Sequence, residues 1–186
     1  MKRLLAAVAL LLLAGSAPAQ EWHRSEPGSS WTYTNGETQS LAGPREFAGQ
    51  QVLVLTHWLR GEPVSEDYLV YSPDGIQQVG SAVGGRTLTF SPPLLILPAG
   101  PFSEGSSWSG SARVDGTDVT VTSTVTGTRG VDAPAGRYNA HVISQVTETG
   151  SGGRTAVQLY FVPDVGIVRY VLEDGTVVDL LETNFQ

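Results

Sequence analysis

The sequence predicts an all-β domain, and three observations carry that expectation. Apolar residues recur with a period of two in several stretches, Asp-Gly and Gly-Gly pairs punctuate those stretches at hairpin spacing, and no helix of ordinary length follows the N-terminal apolar run. About ten strand candidates result, a spacing typical of antiparallel sandwiches and barrels. The expected architecture is a single domain over residues 20–186, with antiparallel strands in a curved sheet, a half-barrel or a sandwich.

The elements follow in chain order. Met1-Lys2-Arg3, the apolar run Leu4 to Leu13 and Ala17-Pro18-Ala19 form a secretory signal peptide over residues 1–19, with cleavage before Gln20. That run breaks at Gly15-Ser16, short of the ~20 apolar residues of a bilayer span, so no transmembrane span is expected in the mature chain. Gly28-Ser29-Ser30 turns the chain and Trp31 anchors the strand that follows. A short helical turn is expected near Leu41 to Phe47. Gln51 to Leu59 and Tyr68 to Tyr71 are continuously apolar, as in strands covered on both faces. Gly61-Glu62, Asp74-Gly75 and Gly84-Gly85 supply turns.

The middle of the chain, Ser91-Pro92-Pro93-Leu94-Leu95-Ile96-Leu97-Pro98, is bounded by proline, with a second short helical turn expected over Pro93 to Leu97. Beyond it Gly105-Ser106-Ser107-Trp108 repeats the earlier Gly28-Ser29-Ser30-Trp31, and Ser103-Glu104 echoes Ser25-Glu26. Two β-meanders joined through residues 91–104 would produce this echo. Asp115-Gly116 suits a two-residue type I′ hairpin turn. From Thr117 to Thr128 threonines and valines alternate, placing Thr120, Thr122, Thr124, Thr126 and Thr128 on one face and Val119, Val121 and Val125 on the other. Tyr138 to Thr147, Gly166 to Leu172 and Thr176 to Leu181 continue the pattern, separated by the Gly150 to Gly153 cluster and Asp174-Gly175.

Composition narrows the function. The 186 residues are 40% hydrophobic and only 16% charged, which suits a folded domain and not a disordered chain. Loss of Lys2 and Arg3 with the leader takes the 11 basic residues to 9, all arginine, against 18 acids, a balance of about −9. No nucleic-acid partner is expected at that charge. The chain has no cysteine, so neither a disulfide nor the acyl-accepting cysteine of a lipoprotein is present. Stability must come from a packed core.

The chemistry-bearing residues are few. No Gly-x-Ser-x-Gly elbow occurs, and His23, His57 and His141 lack the spacing of a local metal motif. His57 lies in an apolar run beside Trp58, where a hydrogen-bonded, partly buried imidazole is expected. Glu66 and Asp67 are adjacent in a strand and so point to opposite faces, which argues against a catalytic pair. Asp115-Gly116-Thr117-Asp118 lacks the remaining acids of a calcium loop and reads as a hairpin turn. No catalytic residue, metal ligand or cofactor is assigned.

Pro27-Gly28-Ser29-Ser30-Trp31-Thr32-Tyr33, the proline-rich middle, Ala133-Pro134-Ala135-Gly136-Arg137-Tyr138 and Tyr160 to Arg169 together resemble a loose group of secreted bacterial all-β proteins with no established activity. The resemblance implies a curved antiparallel sheet similar to the open half-barrel of the lipoprotein carriers LolA and LolB. The resulting expectation is a non-enzymatic protein of the cell envelope, periplasmic or extracellular, that binds a lipid or other apolar small molecule. Candidate ligand-binding residues are Trp31, Trp108, Leu94, Leu95, Ile96 and Leu97. The alternative is a structural or interaction module that meets another envelope protein; a hydrolase or metal enzyme ranks third.

Overall fold

A computed structural model describes residues 25–185; the expected signal peptide lies outside the described residues. Alternation converts into strands along nearly the whole described chain: β1 (Ser30–Tyr33), β2 (Glu37–Phe47), β3 (Gln50–Leu59), β4 (Glu62–Ser72), β5 (Gly75–Val83), β6 (Arg86–Pro98), β7 (Ser107–Val114), β8 (Thr117–Ala133), β9 (Gly136–Thr149), β10 (Arg154–Val162), β11 (Gly166–Leu172) and β12 (Val177–Thr183). Each pairs antiparallel with its sequence neighbours, and β1 joins β12 to close the barrel. Twelve strands in a closed ring therefore replace the expected ten in an open half-barrel or sandwich. The reason is non-local. Trp31 pairs with Thr183 and Tyr33 with Leu180 across nearly the full chain, and Asn184 bonds Ser30 N–H and the Gly28 carbonyl. Closure removes the two edges that an open sheet would leave unpaired.

The two expected helical turns are also strands. Pro44 and Pro92-Pro93 lie within these strands, and each sits where the ladder already shifts. The β2–β3 register slips between Ala42 and Arg45, and the β5–β6 register slips between Gln78 and Gly80, opposite the Thr89 to Leu94 stretch. Proline is tolerated at such irregularities because no ladder donor is required there. Segment 91–104 comprises the later part of β6 and the loop to β7, with six strands before β7 and six from β7 onward. The hairpin signals hold best at Asp115-Gly116, where both residues have positive φ, 49° and 82°, as a type I′ turn demands.

Strand register sorts side chains into two faces. Gln39 pairs with His57 and His57 with Ser65; Leu55 pairs with Asp67 and Asp67 with Ser81; Leu69 pairs with Gln78 and Gln78 with Leu94. These residues share the inward face with the apolar core, in which Trp31, Tyr33, Leu41, Val168 and Leu180 form one cluster, Leu94, Ala112, Val114 and Val121 a second, and Phe102, Val125, Ile143 and Phe161 a third. On the other face of β3 and β4, Val52, Val54 and Tyr68 pack with Phe47. β3 is thus covered on both sides, as its unbroken apolar run requires.

The two halves of the ring repeat one another in detail. In the first, Gly28 N–H bonds the Leu41 carbonyl while Leu41 N–H bonds the Ser29 carbonyl; in the second, Gly105 and Ser106 make the same two bonds to Val125. Trp31 then pairs with Gln39, and Trp108 with Ser123. A register shift follows Leu41-Ala42 in β2 and Val125 in β8. Another falls between Tyr68 and Leu69 in β4 and between Tyr160 and Phe161 in β10. The two tyrosines at those shifts each carry an arginine on the ring, but from non-corresponding strands, Arg45 of β2 on Tyr68 at 5.0 Å and Arg169 of β11 on Tyr160 at 5.8 Å. Bulges at matching places re-aim matching side chains, so β1–β5 and β7–β11 are two copies of one framework.

Candidate functional site

The repeat defines which inward positions correspond: Glu37 with Val121, Gln39 with Ser123, His57 with Gln145, Leu55 with Ile143, Asp67 with Leu159, and Gln78 with Ile167. The second copy is mostly apolar at these places. In the first copy they hold an ionic cluster.

His57 is its centre. Its Nδ1 lies 2.9 Å from Glu37 Oε1 and its Nε2 3.0 Å from Asp67 Oδ2, so each ring nitrogen faces a carboxylate. Gln39 Nε2 donates to the same Glu37 oxygen at 2.9 Å, and Gln78 Nε2 donates to Asp67 Oδ1 at 2.7 Å. Gln39 also approaches the Tyr170 hydroxyl at 3.4 Å, while the Tyr33 hydroxyl donates to the Ile167 carbonyl. Burial alone would lower the His57 pKa, but the hydrogen bonds to Asp67 and then Glu37 outweigh it and push it up to about 9. The His57 hydrogen bond, acting against burial and helped by Gln39, holds Glu37 below the usual carboxylate range. Burial, then the neighbouring Tyr170, pushes the Tyr33 hydroxyl well up.

Two carboxylates with one imidazolium leave a formal charge of −1 in a largely apolar interior. Both histidine nitrogens are committed, so neither offers a lone pair as a base. The three side chains stay partly open to solvent, 21% for His57, 27% for Glu37 and 28% for Asp67, although they face inward. The barrel end nearest to them is the one at which β3 terminates in Leu59.

That end carries the β1–β2, β3–β4, β5–β6, β7–β8, β9–β10 and β11–β12 turns, all on one side of an up-and-down barrel. Leu59, Val83 and Leu172 lie there on the inward face, by their pairing with Glu37, Ser65 and Val157, and remain 42%, 49% and 43% exposed. Val64 and Val177 flank them and are similarly exposed. The inward ones stand apart on the ring, Leu59 and Val83 on β3 and β5 and Leu172 on β11, whereas Val177 faces outward by its pairing with Val171; the ionic cluster begins beneath Leu59. The opposite end is filled by Trp31, Val131, Ala135, Val165 and Phe185.

Sequence-predicted site residues fall in two places. Trp31 is buried at the filled end, its indole N–H donating to the Val165 carbonyl and its ring edge-on to Phe185. Trp108 donates to the Ile96 carbonyl and packs near Phe102, in a cluster that also takes Leu97. Leu94 is core and Ile96 packs beside it, whereas Leu95 pairs with Gln77 on the opposite face. Of these residues, Leu94 stands directly opposite a member of the ionic cluster, Gln78. The expected partly buried, hydrogen-bonded His57 is present, and Glu66 and Asp67 do point apart: Glu66 pairs with Arg45 on the outside. Sequence reasoning missed Glu37, Gln39 and Gln78. Their one signal was polar residues at alternate positions leading into Leu41, on a strand face that turns apolar. A shallow depression on β9–β11, lined by residues that include Ser144, Gln158, Val171, Leu172 and Glu173, carries a single charged side chain. Among the described residues no group of three or more His, Asp or Glu side chains is arranged to hold a metal ion.

No family model and no curated protein matches the chain. Solved structures do. The chain is similar to a candidate lipoprotein from Parabacteroides distasonis at 12% identity and a TM-score of 0.51, over 90% of this chain and all of that one. It is also similar to a candidate exported protein with a YmcC-like fold from Bacteroides fragilis, at 11% identity and a TM-score of 0.52, over 89% of this chain and all of the other. At that identity the likeness is one of fold alone: an all-β, antiparallel domain.

Proposed function

We propose that this is an exported, non-enzymatic protein of the bacterial envelope that takes a lipid-like amphiphile into the barrel through its apolar-lipped end. The observation that carries the reading is that three inward-facing side chains at the rim, Leu59, Val83 and Leu172, are each left more than two-fifths exposed. Inward apolar groups in a closed barrel are normally covered, and their exposure at its mouth is what an apolar ligand would cover. Beneath the rim the inward side chains are mostly apolar on the β7–β12 side and hydrogen-bonding on the β1–β5 side, the two chemistries that an amphiphile combines. The signal-like leader and the fold shared with exported and lipoprotein candidates support an envelope location. The absence of a free imidazole lone pair at His57 supports binding over acid–base catalysis.

Native mass spectrometry of the protein purified from its own envelope, with lipid extraction, tests this. A bound amphiphile that is lost from Leu59→Ser/Val83→Ser/Leu172→Ser is the expected result. A protein that carries nothing, and takes up neither laurate nor dodecylamine when offered them, overturns it.

A further inference from the structure

The ring is closed unevenly. β7 pairs with β8 along its whole length, from Ser107 opposite Thr124 to Val114 opposite Thr117, and β8 pairs with β9 from Val119 to Ala133. Between β6 and β7 the register holds only Phe90 with Val114 and Ser91 with Arg113, although β6 continues to Pro98. Pro92 and Pro93 follow directly and have no N–H to donate. Past them β7 backs onto the β6 chain: a Cβ at Gly110 would stand 2.8 Å from both the amide nitrogen and the carbonyl oxygen of Leu95, so only glycine fits there. The Trp108 indole N–H donates to the Ile96 carbonyl at 3.2 Å, a side-chain bond within the stretch that lacks ladder pairs. The closure at the chain's two ends is tied more heavily. β1 and β12 pair from Trp31 opposite Thr183 to Tyr33 opposite Leu180. Thr34 N–H donates to the Asp179 carbonyl, Asp179 N–H to the Thr34 hydroxyl, and the Asn184 side chain bonds Ser30 N–H and the Gly28 carbonyl.

We infer that the β6–β7 seam is a gate in the barrel wall, which parts locally while the β1–β12 closure and the remaining ladders stay paired. The inference goes beyond the proposed binding role and does not rest on it. A local region opens at a free energy set by the backbone bonds and apolar contacts that hold it. Beyond Ser91 the seam keeps chiefly the second kind: Leu94 of β6 packs with Ala112 and Val114 of β7, Ile96 lies beside them, and Leu97 and Trp108 share the neighbouring cluster. Each flanking strand keeps its other ladder, β6 to β5 through Leu94, Leu95 and Leu97, and β7 to β8 throughout, so neither has to unfold for the seam to part. The unpaired stretch is bounded at both ends. On one side stand the paired Phe90 and Ser91 and, further out, the Arg86–Asp115 ion pair; on the other the chain itself crosses from Ala99 to Ser106, with Ala99 N–H bonded to the Asp74 carbonyl and Gly105 N–H to the Val125 carbonyl. The opening is therefore a slit, which presents Leu94, Ile96 and Ala112 to solvent, and not a separation of the two halves.

The chain has no cysteine, so one introduced thiol reports opening without interference. Ala112→Cys places it behind the seam and Ala140→Cys places it in β9; the two alanines are 4% and 0% exposed. With each rate normalised to that of the unfolded protein, iodoacetamide should label Ala112→Cys about tenfold faster than Ala140→Cys under native conditions, and with a weaker urea dependence than global unfolding. Adding Gly110→Ala, which pushes β7 off the Leu95 backbone, should speed labelling of Ala112→Cys by about fivefold more and leave Ala140→Cys within about twofold. Trp108→Phe removes the indole donor to Ile96 and keeps a ring in place; it should act in the same direction, and it carries the test if Gly110→Ala does not fold. Equal labelling at the two thiols overturns the inference, as does a Gly110→Ala or Trp108→Phe effect of the same size at both, which would make the seam part of one cooperative unit. Loss of the fold in both variants overturns it too, since the seam would then be indispensable to the closed ring.

Discussion

The first and second halves of the barrel share backbone and differ in chemistry. At matched positions one holds Glu37, Gln39, His57 and Asp67, the other Val121, Ser123, Gln145 and Leu159. In the second half a single polar pair survives: Gln145 donates to Ser123, whose side chain is fully buried. In the first, that pair has grown into an ionic cluster with five members. The comparison separates what makes the barrel from what is added to it. Turns, bulges and the tryptophan anchor occur twice, and the charges occur once.

The largest test concerns the shared framework. Phe161 and Leu69 occupy matched positions beside matched register shifts and are 0% and 4% exposed. Phe161→Ala should cost about 3–5 kcal/mol and Leu69→Ala about 2–5 kcal/mol in urea unfolding. A cost below 1 kcal/mol for Leu69→Ala alone would show that the first half is not packed like its twin.

The next is confined to the charged half. His57 is raised from 6.5 to about 9, so its contribution is fully present below pH 6.5 and is lost as pH rises through about 9. Stability should fall by about 3 kcal/mol across that window. Glu37 acts in the opposite direction: its carboxyl is held low, and its contribution is lost as pH falls through its folded-state value. Thermal unfolding from pH 6 to 10 should show the alkaline loss in wild-type protein and a flattened limb in His57→Gln. An unchanged slope in that variant would assign the loss to other groups.

A smaller effect is expected at the corresponding polar pair. Gln145→Ala removes one hydrogen bond and leaves the buried Ser123 hydroxyl with a lost partner, at a cost of about 1–2 kcal/mol with little dependence on pH between 6 and 9. A pH-dependent loss there would blur the contrast between the halves. Smallest of all, Arg86→Ala removes an exposed ion pair to Asp115 at a hairpin tip and should change stability by less than about 0.5 kcal/mol. A larger loss would mean that the rim carries structural weight beyond its turns.

Much of the framework was legible beforehand. The alternation of Thr117 to Thr128, the type I′ turn at Asp115-Gly116 and the double coverage of Gln51 to Leu59 are local patterns, and a strand's face pattern depends only on its own residues. The echo of Gly28 to Trp31 in Gly105 to Trp108 pointed to a repeated turn, and the hydrogen bonds of the two turns match one for one. What misled were prolines: Pro44 and Pro92-Pro93 break the simple pattern, yet stand at ladder irregularities where no donor is missed. The site was half legible. His57 could be singled out as a polar residue within an apolar strand, but its partners could not.

By itself the sequence determined the all-β antiparallel class, most of the hairpin turns, the alternating faces of its clearest strands, and the lack of sulfur to staple the fold. These depend on side-chain period and on turn residues a few positions apart. The strand count and the two stretches expected as helical turns were settled only by the structure. Only the tertiary structure decided that β1 meets β12, and that Glu37, His57 and Asp67, carried on three successive strands, converge inside one closed wall. Register across long hairpins and closure between the chain's two ends are set by the summed packing of all twelve strands, bulges included. No local stretch encodes that sum.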